Sequence, residues 1–211
     1  MRSTQRERGT FTENARRRQI VDCAVEVIAE IGYTKASIRR IAERVGVAMS
    51  VVLYHVASKD DLVGAIVAES YRSALELMVP AVTAETTARG KLDAYIRSNG
   101  EFVHAHRSQQ LALADIWSNH RSPEGLRLDQ LGLDPQIQDE LARIAPEAIF
   151  VAGRRNGEFR AFPPRSMALA LRGALDAAVA QTLQDPSFDV RGYCRDVADL
   201  FDRATRAEAD E

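Results

Sequence analysis

The chain has 211 residues, with 28 Lys and Arg against 30 Asp and Glu, and hydrophobic residues make up 45% of it. That length suits one large or two small domains around a real core. No apolar run approaches the roughly 20 residues that cross a bilayer, and the start MRSTQRERGTF has no apolar stretch behind its charges. A membrane span and a secretory leader are therefore not expected, and a cytoplasmic location is.

The charge is unevenly placed. Residues 1–59 carry 11 Lys and Arg against 6 Asp and Glu, while the remainder carries 17 against 24. A cationic head suggests a polyanion partner for that segment, and the acidic remainder argues against coating of nucleic acid by the whole chain. Cys23 and Cys194 lie far apart with no metal-ligand spacing. They read as buried small hydrophobes, with a redox pair as the alternative.

In chain order, Ile20, Ala24, Val27, Ile28 and Ile31 recur at helical spacing, which predicts a helix over about 13–31. Thr10 and Glu13 form a capping box at its start, and Gly32 ends it. A short helix follows from Ser37 as cap to Val45, then Gly46 breaks the pattern, and a second short helix covers about 48–56. Ser58 and Asp61 make another capping box, opening a helix expected to stop at Pro80. Further helices are predicted at about 86–106, 109–121, 134–155, 164–184 and 189–206. No stretch alternates as a strand does, so the expected fold class is all-α.

Residues 37–56 carry the functional signal. Two short helices around a tight glycine turn are what a helix-turn-helix needs to lay its second helix in a major groove. Ala42 permits close helix approach, and Val47, Val52 and Val56 can hold the second helix while Met49, Ser50, Val51 and Tyr54 face outward. A plain αα-hairpin in a bundle has the same turn; the local charge favours DNA.

Residues 14–67 resemble the DNA-binding domain of the tetracycline-repressor (TetR) family. The resemblance rests on Arg17-Arg18-Gln19-Ile20, Gly32-Tyr33, Ser37-Ile38, Ile41-Ala42, Val45-Gly46-Val47, His55 and Ser58-Lys59 at ungapped spacing. It implies a homodimer formed through the last two long helices and repression of an operator relieved by a small-molecule effector. The chain departs from the family pattern at Ala48, where Ser or Thr is usual, and at Met49, Leu53 and Val56.

The expected DNA-binding set is Thr34, Lys35, Ser37, Arg39, Met49, Ser50, Val51, Tyr54, His55 and Lys59. Lys59 is assigned to a phosphate at a helix N-terminus, with Thr34, Lys35, Ser37, Tyr54 and His55 as further phosphate candidates. Met49, Ser50 and Val51 are the base-edge candidates. With no Arg, Asn or Gln in this helix, a larger share of readout falls to DNA shape. The arginines at 2, 6, 8 and 16–18 read either as minor-groove contacts or as a solvated charge run.

The second half offers Tyr95, Asn99, Phe102 and His106 on one stripe and Leu113, Trp117 and His120 on another, with Phe150 as a further wall. Such mixed stripes suit an apolar pocket for a small, mostly apolar ligand, and equally an ordinary core. His104 and His106 are spaced i, i+2, unsuited to metal chelation on a helix. Neither a nucleophile elbow, a zinc motif nor a phosphate loop is present, so no catalytic residue, metal or cofactor is expected. The expected domains are a helix-turn-helix over 1–59, a connecting helix over 60–80, and a ligand-binding and dimerisation domain over 81–211. A ligand-independent regulator or an activator is the alternative.

Overall fold

The computed structural model describes residues 2–121, 125 and 134–207, and for 2–12 the backbone alone. Its described residues form ten α-helices: α1 (Arg2–Ile31), α2 (Ile38–Val45), α3 (Met49–His55), α4 (Lys59–Ala84), α5 (Ala88–Ala105), α6 (Arg107–Asn119), α7 (Pro135–Arg143), α8 (Pro146–Arg155), α9 (Pro164–Gln184) and α10 (Val190–Thr205). The expected all-α class stands. The only β feature among those residues is a single bridge between Phe159 and Arg206. No described helix is long and apolar enough to cross a membrane.

Contacts divide the chain into two compact units. The first combines Met1–Ser70 with Ser108–Gly132, and the second combines Tyr71–Arg107 with Leu133–Glu211. The sequence expectation kept all of 81–211 together; instead α6 packs with the N-terminal helices. Its Ala112 and Ile116 join a core built from Ile20, Ala24, Val27 and Ile28 of α1, Ile41 and Ala42 of α2, Val52 of α3, and Leu62 and Ile66 of α4.

In the second unit α5 and α10 run antiparallel along each other. Arg89 grips Asp202 with two hydrogen bonds of 2.7 and 2.8 Å, and at the other end Arg191 pairs with Glu101 at 2.7 Å. Between them the helices approach so closely that a Cβ on Gly100 would lie 2.8 Å from both Cβ and Sγ of Cys194. Phe150, Phe159 and Phe162 form a second packed centre, with ring centroids 5.5 to 6.2 Å apart.

Three expected boundaries differ. The first helix begins at Arg2, well before Thr10; a capping box can start a helix, but nothing in the preceding polar run ends one. Pro80 lies inside α4, which continues to Ala84. Thr83 Oγ1 donates to the Val79 carbonyl at 2.7 Å there, in the turn that Pro80 begins. The segment expected as one helix over 134–155 is two, because Pro146 forces Ala145 into an extended conformation (ψ 129°) and starts a new helix.

Candidate nucleic-acid interface

The turn between α2 and α3 is built by Gly46 in the left-handed region (φ 77°, ψ 34°). Its N–H and that of Val47 both reach the Ala42 carbonyl, at 2.9 and 3.0 Å, closing α2. At the other end of α2 the Ser37 hydroxyl accepts from Arg40 N–H. These two caps fix where α3 leaves.

α3 then turns one side inward and the rest out. Val52 and Val56 are buried in the first unit's core, whereas Met49, Val51, Leu53 and Tyr54 are exposed, Tyr54 by 74%. Ser50 is also exposed. A helix of seven residues with four large exposed hydrophobic or aromatic side chains is costly in water unless something covers it. Tyr54 stacks edge-on against His55 with centroids 5.1 Å apart, and its hydroxyl leans toward Glu13 of α1 at 3.4 Å. Ala48, at the N-cap of α3, makes no side-chain cap, so the amides of the first turn are left free of an internal side-chain partner.

Around this helix lie the other expected contacts. Thr34, Lys35, Ser37 and Arg39 are exposed and His55 is half-buried. Arg39 is engaged with Glu43 at 3.0 Å one turn on, an exposed pair that a phosphate can readily replace. Arg40 donates to the Lys35 carbonyl at 3.4 Å. Lys59 opens α4 half-buried rather than extended into solvent. Its Nζ donates to the Tyr33 carbonyl at 2.8 Å and lies 4.0 Å from the centre of the Tyr33 ring. Burial pulls its pKa below the ordinary lysine value, against the opposing pull of Asp60 and Asp115.

Residues 20–66 match the sequence profile described as bacterial regulatory proteins, tetR family. Over that segment the chain is similar to the TetR family. A fatty acid metabolism regulator protein of Bacillus subtilis is 35% identical over 74 residues, which is 35% of this chain and 38% of that protein. The HTH-type transcriptional regulator BetI of Cronobacter sakazakii is 28% identical over 163 residues, 75% of this chain and 73% of that one. The backbone also resembles that of solved regulators. The crystal structure of the transcriptional regulator FadR from Bacillus subtilis in complex with stearoyl-CoA superposes with a TM-score of 0.67 at 23% identity, covering 87% of this chain and 96% of that one. At that identity the match shows a shared fold.

The residues expected to line a ligand site are dispersed between the two units. In the second unit, a recess of about 260 Å³ is lined by Tyr95 of α5, Ala145 and Glu147 at the head of α8, and Arg165, Leu171 and Arg172 of α9, among others. Of the expected set only Tyr95 lines it. Tyr95 is 7% exposed, and burial raises its phenol pKa. One and two turns along α5, Asn99 carries a buried Oδ1 without a hydrogen-bond partner among the described residues, and Phe102 is buried against the half-buried His106 ring at 4.8 Å. Burial lowers the His106 pKa. Phe150 is fully enclosed in the aromatic centre. In the first unit Leu113 packs against the head's core, Trp117 is exposed, and His120 is buried on Tyr33. Sequence reasoning missed Arg165 and Arg172, because exposed arginines on an Ala-rich helix carry no periodic signal.

Proposed function

We propose that this chain is a cytoplasmic, homodimeric transcriptional repressor that binds double-stranded operator DNA through α3 and is released by a small, mostly apolar ligand. The observation that carries the reading is α3 itself. Its buried valines anchor a face of Met49, Ser50, Val51 and Tyr54 that stays exposed among the described residues, inside the segment that matches the family. Ser50 can bond several bases and the apolar side chains suit thymine methyl groups. Thr34, Lys35, Ser37, Arg39, His55 and Lys59 then take phosphates, which set register rather than sequence.

A dimer is supported by the outer surface of the last two helices. Leu169 and Leu200 are each 64% exposed, and a stripe of Ser166, Ala170, Gly173, Ala177 and Ala180 leaves α9 narrow enough for close helix packing. Two heads about 34–36 Å apart would match successive major grooves. For the effector, the recess beside Tyr95 offers an apolar floor with a phenol and two arginines. Its volume is under the roughly 300–1,000 Å³ of ordinary ligand sites, so a ligand would have to displace neighbouring side chains. The stearoyl-CoA complex of the Bacillus relative supports an effector with a long apolar part.

The test is selection of genomic fragments by the purified protein, followed by footprinting. The expected result is a two-fold symmetric protected site whose affinity falls in Lys59→Ala for every sequence, with a salt slope lower by about one. Retention of no fragment at low salt would refute the regulator reading.

A further inference from the structure

Resting on the reading of Lys59 as a phosphate contact, we infer that His120, just past the end of α6, is a positioning residue for that lysine, acting through Tyr33. The geometry is a chain of contacts inside the first unit. Tyr33 sits in the turn between α1 and α2 and is held at every polar point it has. Its N–H donates to Asp115 Oδ2 of α6. Its hydroxyl shares a 2.9 Å hydrogen bond with His120 Nδ1, and the two rings meet edge to face at 84°. Its carbonyl and its ring face are the two surfaces on which the Lys59 ammonium rests.

The supports of those supports belong to α6. Asp115 is itself oriented by Asn119 Nδ2, which donates to Oδ1 at 2.6 Å. His120 is held by its own N–H, which donates to the Ile116 carbonyl at 2.7 Å. At 1% exposure, His120 has among the described residues one hydrogen-bonded neighbour through its ring, the Tyr33 hydroxyl, and its buried Nε2 has none. Asp60 stands further off at 3.8 Å. Gly32, in the left-handed region at φ 85°, lets the turn approach α6; a Cβ there would lie 3.3 Å from Asp115 Oδ2.

A buried imidazole with an unpartnered nitrogen costs stability, and the bond its other nitrogen makes stands against that cost. Here that contact fixes the plane of the ring under Lys59. A long flexible lysine loses rotamer freedom when it meets a phosphate. Resting it beforehand on a carbonyl and a ring face leaves two further N–H donors aimed from one defined place. If Tyr33 swings, both rests go together. α6 therefore sets the readiness of a backbone-gripping cation without touching DNA itself.

The experiment is a double-mutant cycle read on a random-sequence duplex at low salt, where phosphate contacts supply nearly all the binding. His120→Phe in the full chain is expected to weaken binding roughly three- to tenfold, within the range for coupled neighbours, and to have no effect in a Lys59→Ala background. Lys59 in His120→Phe should also react faster with an amine-directed reagent followed by mass spectrometry. His120→Gln, which keeps a polar group at the Tyr33 hydroxyl, should restore part of both. Circular dichroism confirms that each variant is folded, and Tyr33→Phe replaces His120→Phe in the cycle if the latter is not. Equal loss with and without Lys59, or unchanged binding and reactivity, would overturn the inference. Wild-type binding that Lys59→Ala leaves unaltered would overturn it too, while sparing the role given to α3. A wild-type protein that retains no duplex would remove the regulator reading and this inference together.

Discussion

The two cysteines show how one residue type is sorted by its surroundings. Cys194 is buried where α10 crosses α5, and burial pushes its thiol up to about 11. Cys23 lies on α1 with partial access, its thiol raised by burial and then by Glu26 and Asp22. Thiolate is the reactive form, so both are slow near neutrality, and access decides between them. In native protein a thiol-disulfide reagent should titrate Cys23 alone, with Cys194 reacting only after denaturant opens the seam. Two thiols reacting at equal rates would mean that the α5–α10 contact breathes open. The sequence reading of both as small hydrophobes is right for Cys194 and half right for Cys23, since nothing in the spacing told which side of α1 meets water.

Elements whose ends carry their own chemistry were legible, and elements shaped by a neighbour were not. Ser37 and Gly46 bound α2 where spacing placed them, and Ser58 caps α4 by accepting from Asp61 N–H at 3.0 Å. The division at Pro146 and the continuation of α4 through Pro80 depend on how the local backbone resolves one missing N–H, which periodicity does not contain. The exposed face of α3 was legible because the turn and the buried valines that set it are local. The surroundings of the other stripes were not: those on α5 and α6 look alike in sequence, yet one faces the second unit's interior while the other joins the head. The uncapped start of α3 gives a prediction of its own. Ala48 already has extended backbone angles (φ −66°, ψ 146°) suited to an N-cap. Ala48→Ser should therefore raise stability by about 0.5–2 kcal/mol with no change of backbone. Chemical denaturation reads this directly; an unchanged or lowered midpoint would show that the first turn of α3 is satisfied by other means.

For the whole molecule the question is whether the outer face of α9 and α10 is an interface between copies. Exposed Leu169 and Leu200 alone are ordinary, since folded surfaces carry much apolar area. Gly173 provides a sharper probe. A Cβ built on it meets nothing within 4 Å among the described residues, and the position is exposed, so a side chain there can extend into solvent. It would also improve helix propensity by nearly 1 kcal/mol. Gly173→Arg should accordingly leave or raise the stability of the monomer fold, while a charged side chain in the middle of the small-residue stripe would part the two copies. Sedimentation should then show a dimer for wild type and a monomer for the variant. Wild-type melting should depend on protein concentration and the variant's should not, because association stabilises by mass action. Operator affinity should collapse in the variant although every residue of the head is intact, since one α3 reads too few bases to hold on alone. If Gly173→Arg sediments like wild type and keeps its footprint, the copies meet elsewhere.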